Sequence, residues 1–205
     1  MTDDTRGSPF LPLDRPLVLA SSSPRRAEIL REAGVPFTVM EPRVSEEAGL
    51  SLGAAECAVE LALRKAREIA PRVAHGLVLA ADTVVVVDGV VLGKPGSPAE
   101  ARGMLHRLSG RTHEVITGVA LISRPEESEI TDLSRTLVAL HTMSGAAIDA
   151  YVSSGEPLDK AGAYAIQGAM ASAVDRIDGC YFNVVGLPLS RVAAMIARME
   201  RSRAR

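Results

Sequence analysis

Residues 77–92 read Leu-Val-Leu-Ala-Ala-Asp-Thr-Val-Val-Val-Val-Asp-Gly-Val-Val-Leu. Leu77–Ala81 and Val84–Val87 make an apolar run suited to a buried strand, interrupted by Asp82-Thr83. Asp88-Gly89 is a tight-turn pair and Val90–Leu92 returns after it, so the stretch predicts a β-hairpin. Asp82 admits two readings. A carboxylate inside such a run loses its hydration unless a cation or hydrogen bonds compensate it, which makes it a candidate site residue. Alternatively the run breaks at a sheet edge, and Asp82 is solvated or caps a turn with Thr83.

Outward from this hairpin, short apolar segments alternate with helical ones. Leu17–Ala20 reads as a buried strand, and Ser21-Ser22-Ser23-Pro24-Arg25-Arg26 leads into a helix that Gly34 can stop. Phe37–Met40 suggests a second strand. A loop from Glu41 to Gly53 carries Glu46 and Glu47 and is long enough to be functional. From Ala54 to Ala70 the pattern is helical, with Ala54, Ala58, Leu61 and Ile69 available for packing while Lys65 and Arg67 project elsewhere. Downstream, Pro98–Leu108 reads as a helix, Val115–Ile122 and Leu137–Leu140 as strands, and Ser144 as the cap of a helix bearing Ile148, Tyr151 and Val152 that Gly155 stops. A last helix covers roughly Leu189–Met199. Strands and helices alternating in one layered domain place the chain in the α/β class.

Composition agrees. The 205 residues are 47% hydrophobic but only 3% aromatic, so the core must be built from Ala, Val, Leu and Ile. A net charge of −2 argues against a broad nucleic-acid-binding surface, though a small anion can still be held locally. The arginines at 198, 201, 203 and 205 read as a solvated basic helix end rather than an RNA contact. Nothing resembles a signal peptide, and no segment approaches the roughly 20 apolar residues that span a membrane. Cys57 and Cys180 lack metal-type spacing and read as reduced, buried fillers. His75, His106, His113 and His141 likewise show no ligand spacing and read as structural or solvated.

Several segments carry chemistry. The strand-to-helix junction Ser21–Arg26 is an anion-site candidate, because free backbone N–H groups and the positive end of the helix dipole point at it. The plainer reading is a capped helix with two exposed arginines. Gly93-Lys94-Pro95 sets an ammonium just after the hairpin, within reach of a phosphate, but without the Gly-rich pattern of a Walker loop. Residues 156–162, Glu-Pro-Leu-Asp-Lys-Ala-Gly, form a charged loop that could be a solvated turn. Gln167-Gly168 places an amide beside a residue that permits close backbone approach, suited to hydrogen-bonding a base edge.

Taken together, Leu19-Ala20-Ser21-Ser22-Ser23-Pro24-Arg25-Arg26, Ala81-Asp82-Thr83, Gly93-Lys94-Pro95, Asp159-Lys160-Ala161-Gly162, Gln167-Gly168 and Asn183-Val184-Val185-Gly186-Leu187-Pro188-Leu189 resemble the Maf family in order and spacing. The resemblance covers about Leu17 to Met199. It implies an α/β fold with an elongated mixed β-sheet flanked by helices, two lobes around a cleft, and a homodimer, akin to inosine triphosphate pyrophosphatases. Residues 17–199 would form this domain, with 1–16 a flexible extension and 200–205 a basic tail. The implied activity is a cytoplasmic nucleoside triphosphate pyrophosphatase using Mg2+ or Mn2+ to direct water at the α-phosphorus.

The resemblance also distributes roles. Asp82, Lys65 and Lys94 match catalytic positions; Asp82 and Glu46 match the metal positions; Ser21, Arg25, Arg26, Thr83, Lys94, Lys160 and Gln167 match substrate-binding ones. Ala81-Asp82-Thr83 with Ile166-Gln167-Gly168 resembles the branch acting on dTTP and UTP, whereas a glutamate replaces the glutamine in the 7-methyl-GTP branch. Two alternatives stand beside this one: a nucleotide-binding regulator of cell division or septum formation, and a pyrophosphatase for another nucleotide such as 7-methyl-GTP. Neither a nucleic-acid partner nor a membrane is implied.

Overall fold

The computed structural model describes residues 8–11, 13–45 and 53–203. Seven strands form one mixed sheet: β1 (Leu17–Ala20), β2 (Thr38–Met40), β3 (Gly76–Val87), β4 (Val90–Leu92), β5 (Thr112–Arg124), β6 (Glu129–Leu140) and β7 (Val174–Asp178). Among the described residues six α-helices accompany them: α1 (Pro24–Glu32), α2 (Ala54–Ile69), α3 (Pro98–Leu108), α4 (Gly145–Ser153), α5 (Tyr181–Val185) and α6 (Leu189–Arg203). The sheet order is β2-β1-β3-β5-β6-β7, with β4 paired to β3. The chain divides into two compact units, one made of residues 1–82, 118–133 and 186–205, the other of 83–117 and 134–185.

In the first unit, β1 pairs in parallel with both β2 and β3, the registers being Leu19↔Val39 and Leu19↔Leu79. The chain therefore leaves β1 toward one neighbour and returns on its other side, which makes the carboxyl end of β1 a topological switch point. Helix α2 lays Ala62, Ala66 and Ile69 against Val18, Ala20, Val78, Ala80, Ala120 and Ile122. The approach is close because the facing residues are small: a Cβ built on Gly118 would stand 2.4 Å from the backbone of Ala58 and Val59. Before β1, Ser8 donates its N–H to the Gly34 carbonyl, Leu11 is buried, and Arg15 pairs with Glu126 and Glu200.

In the second unit, β3 and β4 make the expected hairpin, with Asp88 and Gly89 both at positive φ (50° and 75°) as a two-residue turn requires. Arg111 pairs with Asp88 across that turn. Helix α3 is capped by Ser97, packs on α4, and α4 in turn is capped by Ser144. Strands β6 and β7 pair antiparallel with a bulge at Ala139/Leu140.

Three expectations are corrected. The apolar run does not break at Asp82-Thr83: β3 is continuous from Gly76 to Val87. Lys65 does not project away from the core: it shares the buried face of α2 with Leu61, Ala62 and Ile69, because the helical period brings residue 65 to the same side. Only Arg67 projects, pairing with Glu129. Cys57 and Cys180 are free thiols but half-buried rather than buried. Strands β5 and β6 are also longer than their apolar centres suggested, and β7 went unread.

The Gly118 contact yields a stability prediction. Gly118→Ala should destabilise the protein by about 3 kcal/mol, since the added methyl meets backbone rather than a side chain that can rotate aside. Urea unfolding followed by circular dichroism measures it, and a loss below about 1 kcal/mol would show that α2 can shift without penalty.

Candidate functional site

Asp82 ends the first unit's share of β3 and is 8% exposed. Lys65 reaches it from α2, its Nζ donating to Asp82 Oδ1 at 2.6 Å, with both side chains about one-tenth exposed (11%). An isolated carboxylate here would carry a desolvation penalty of several kcal/mol, and the ammonium offsets it through a charge-assisted bond in a region of low polarisability. The negative charge is felt nearby: burial first, then Asp82, pushes the Cys57 thiol pKa upward. A thiol in a negative field is held as S–H rather than as the nucleophilic thiolate.

The junction after β1 lies at the same end of the sheet. β1 pairs with β3 in parallel as far as Leu19↔Leu79 and ends at Ala20, while β3 runs on through Asp82. Ser21 Oγ accepts from the Ser23 N–H at 3.1 Å and from Arg26 Nη1 at 3.3 Å. Arg26 is buried and also donates Nε to the Gly186 carbonyl at 2.8 Å. The reading of two exposed arginines therefore fails for Arg26, whose stem is built into the fold; Arg25 is half-buried. Helix α1 starts with Pro24 in its first turn, without a side-chain cap and without an acidic residue there, so its N-terminus presents positive partial charge to this loop. Thus the first unit holds two pairs, Ser21 with Arg26 after β1 and Lys65 with Asp82 on β3, and β1 and β3 are the parallel strands of the switch point. Glu46 lies outside the described residues, and among those described no three His, Cys, Asp or Glu side chains gather as a metal cage.

The second unit holds the other candidates. Thr83 Oγ1 lies 2.9 Å from Thr117 Oγ1, which donates to the Asn183 carbonyl at 3.0 Å. A carbonyl can only accept, so the Thr117 proton points at Asn183 and Thr83 is the donor between the two hydroxyls. Asn183, fully buried, donates Nδ2 to the Val115 carbonyl (3.0 Å) and to Thr136 Oγ1 (2.9 Å). Lys94 is exposed on the turn after β4, beside a depression of about 460 Å3 lined by Val91, Leu92, Glu100, Met104 and Arg107 among others. Lys160 Nζ donates to the Glu156 carbonyl and to Asp159 Oδ1, both at 2.6 Å. One backbone bond, Gly162 N–H to the Gly93 carbonyl at 3.0 Å, fastens the Lys160 loop to the Lys94 turn. Gln167 is exposed and precedes a 3-10 turn at Gly168–Ala173.

Sequence reasoning did not single out Thr117, Tyr151, Glu156, His113 or Tyr164 as parts of these networks. His113 Nε2 sits 2.6 Å from the Tyr164 hydroxyl, and the rings meet edge to face. Burial pushes the His113 pKa down to about 4 and the Tyr164 pKa up, so both are neutral near pH 7.

Comparison with known proteins places these features in a family. A family model described as "Maf-like protein" matches residues 16–199. A "dTTP/UTP pyrophosphatase" of Symbiobacterium thermophilum is 52% identical over 182 residues, covering 89% of this chain and 93% of that one. A protein of the same name from Moorella thermoacetica is 52% identical over 88% of this chain and 93% of its own length. Another from Caldicellulosiruptor bescii is 45% identical over 89% and 94%. Among solved structures, that of the Staphylococcus aureus Ham1 protein overlaps 62% of this chain and 72% of its own at TM-score 0.44 and 16% identity, a level at which the fold rests on this chain's own strands.

Two predictions follow from the buried groups. Lys65→Met should destabilise the protein by about 3 kcal/mol, because it strands the Asp82 charge, whereas adding Asp82→Asn should recover at least half of that loss. Urea unfolding of the single and double variants tests this, and a double variant no better than the single would refute the coupling. His113 has a folded pKa of about 4 against an ordinary value of 6.5. Its contribution is complete above pH 6.5 and is lost as pH falls toward 4, because the unfolded chain takes up the proton first. The parent should therefore lose up to about 3 kcal/mol over that interval relative to His113→Gln. Parallel pH profiles of the two proteins would expose the error if their difference in stability stayed constant.

Proposed function

The chain belongs to the Maf family, and from that premise we infer that it hydrolyses dTTP and UTP to the nucleoside monophosphate and pyrophosphate. The observation that carries the reading is the Lys65–Asp82 pair at 2.6 Å, set within β3 just past its parallel pairing with β1, the strand that leads into the Ser21–Arg26 junction. Relatives named dTTP/UTP pyrophosphatase at 45–52% identity over most of the chain support the choice of nucleotide.

In this mechanism Arg25, Arg26 and the Ser21 hydroxyl at the α1 N-terminus take up part of the roughly four negative charges of a triphosphate, and Lys94 and Lys160 are assigned to its phosphates by the family resemblance. Asp82 orients the attacking water and accepts its proton, while Lys65 holds that carboxylate in place. Lys94 offsets charge building on the leaving pyrophosphate. Thr83, held by Thr117, borders the substrate next to Asp82. Gln167 reads the pyrimidine by donating to O4 and accepting from N3–H, a complementary pair available from one amide.

We further propose a divalent cation, Mg2+ or Mn2+, held by Asp82 and Glu46. Asp82 fits that role: a carboxylate has about four lone-pair sites, so it can serve Lys65 and a cation together, and Mg2+ is typically held by one or two carboxylates plus phosphate oxygens. Once bound, such an ion would stabilise negative charge on the phosphoryl oxygens. Among the described residues no helix is long and apolar enough to cross a membrane. A cytoplasmic nucleotide pool and a homodimeric state belong to the same proposal.

Asp82→Asn preserves shape while removing the charge, and it should lower kcat for UTP by about 10²- to 10⁴-fold with an unchanged circular dichroism spectrum. Chromatography of the parent's products should show equimolar UMP and pyrophosphate. UDP with orthophosphate, no turnover, or near-normal turnover by a folded Asp82→Asn protein would overturn the assignment.

A further inference from the structure

We propose that Tyr151 and Glu156 are positioning residues that set base selectivity by clamping the Gln167–Gly168 turn, an inference that rests on the assignment of Gln167 to the base. Helix α4 ends at Ser153, and Gly155 reverses the chain at φ 76°, bringing Glu156 back alongside Tyr151. The Tyr151 hydroxyl donates to Glu156 Oε1 at 3.1 Å and accepts the Ala165 N–H at 3.3 Å. Burial raises the phenol's pKa, so it stays a donor across the physiological range. On the far side of Gln167, Gly168 adopts φ 72°, and a Cβ placed there would lie 3.1 Å from the same Glu156 Oε1. One carboxylate oxygen thus bears on both flanks of Gln167: on Ala165 through Tyr151, and on Gly168 by direct approach.

Further bonds hold the clamp. The Glu156 N–H donates to Ser154 Oγ at 3.2 Å, and its carbonyl accepts from Lys160 Nζ at 2.6 Å. Tyr164, two residues before Ile166, is tied to His113 at 2.6 Å. Gln167 itself is exposed and heads the Gly168–Ala173 turn without using its side chain as a cap. A glutamine amide on several rotatable bonds can discriminate a base edge only if its Cα is fixed, since small misplacements of a contacting group are costly. The clamp fixes that Cα from beneath without itself touching a nucleotide.

The test compares kcat/KM for UTP and for 7-methyl-GTP in the full-length protein. Tyr151→Phe removes one oxygen and should lower the UTP to 7-methyl-GTP ratio about ten-fold, chiefly through KM for UTP. Glu156→Ala should behave alike, whereas Glu156→Gln, which keeps an acceptor for the Tyr151 hydroxyl, should retain most of the parent ratio. In a Gln167→Ala background, Tyr151→Phe should change the ratio no further, because both act through one amide. A folded Tyr151→Phe protein with the parent ratio, an equal loss on both nucleotides, or an effect fully additive with Gln167→Ala would overturn the clamp. If Gln167→Ala alone leaves the ratio unchanged, the base-reading assignment falls and the clamp with it. If Gln167→Ala shifts the ratio and Tyr151→Phe does not, the clamp alone falls.

Discussion

A negative charge in the middle of an apolar strand constrains the rest of the first unit. Asp82 sits in β3 after five apolar residues, Leu77–Ala81, and is shielded from water there. The desolvation of a carboxylate so placed is offset by a cation held against it, and Lys65 is that cation. For Lys65 to reach Asp82, α2 must turn its lysine toward the sheet and lay the aliphatic stem along its own buried face. That orientation in turn needs short side chains between helix and strands, which Ala58, Ala62, Ala66 and the bare Cα of Gly118 supply. Even the smallest side chain at residue 118 would lift the helix and move the ammonium. The alanine-rich composition is thus part of how the charge is kept, as well as a way of filling a core.

The Ser21–Arg26 junction obeys the same logic with opposite sign. A cationic guanidinium that is buried must have its donors satisfied, and Arg26 meets this need with the Gly186 carbonyl and Ser21 Oγ. Such an arginine loses little conformational freedom when an anion arrives, unlike a surface residue that must first be ordered. A carboxylate held by a lysine and a serine loop held by an arginine share one end of the parallel strands. Preorganised charge of both signs is what a site needs if it is to accept a polyanion and still leave a base ionised beside it.

Much of this was legible in the sequence, and the reasons for the remainder are physical. Leu17–Ala20, Pro98–Leu108 and the helix capped by Ser144 stand where pattern and capping chemistry put them. The hairpin at Asp88-Gly89 followed from turn chemistry alone. The continuity of β3 did not, because period and propensity cannot reveal that a cation from residue 65 makes residue 82 tolerable in a strand. Strand β7, with the sequence Val-Asp-Arg-Ile-Asp, has too few apolar positions to announce itself and exists by pairing with β6. The Thr83–Thr117–Asn183 chain joins residues far apart in sequence through hydroxyls that carry no periodic signal. Among site residues, the family pattern named Asp82, Lys65 and Arg26, but only coordinates reveal that Arg26 is buried and that Lys65 is paired.

The loop from Gly155 to Gly168 poses a different physical problem from the charged centre, that of holding one exposed amide, Gln167, in place. Cations that hold a triphosphate say nothing about its base, since every nucleotide offers the same phosphates. Discrimination must come from neutral donors and acceptors in fixed places, where an unmatched partner is left unpaired. Fixing them here takes backbone conformations that most residues avoid: Gly155, Gly162 and Gly168 have positive φ, and so does Ala163 at 58°. A side chain in that region costs roughly 1 kcal/mol, so surrounding bonds must over-determine it. They do: the Ala163 N–H binds the Lys160 carbonyl, Gly162 binds Gly93, and Val85 packs so near Gly162 that a Cβ there would stand 3.0 Å from it. Strain is retained where a straighter loop would carry Gln167 elsewhere, and that is the physical reason for so constrained a turn beneath a single exposed amide.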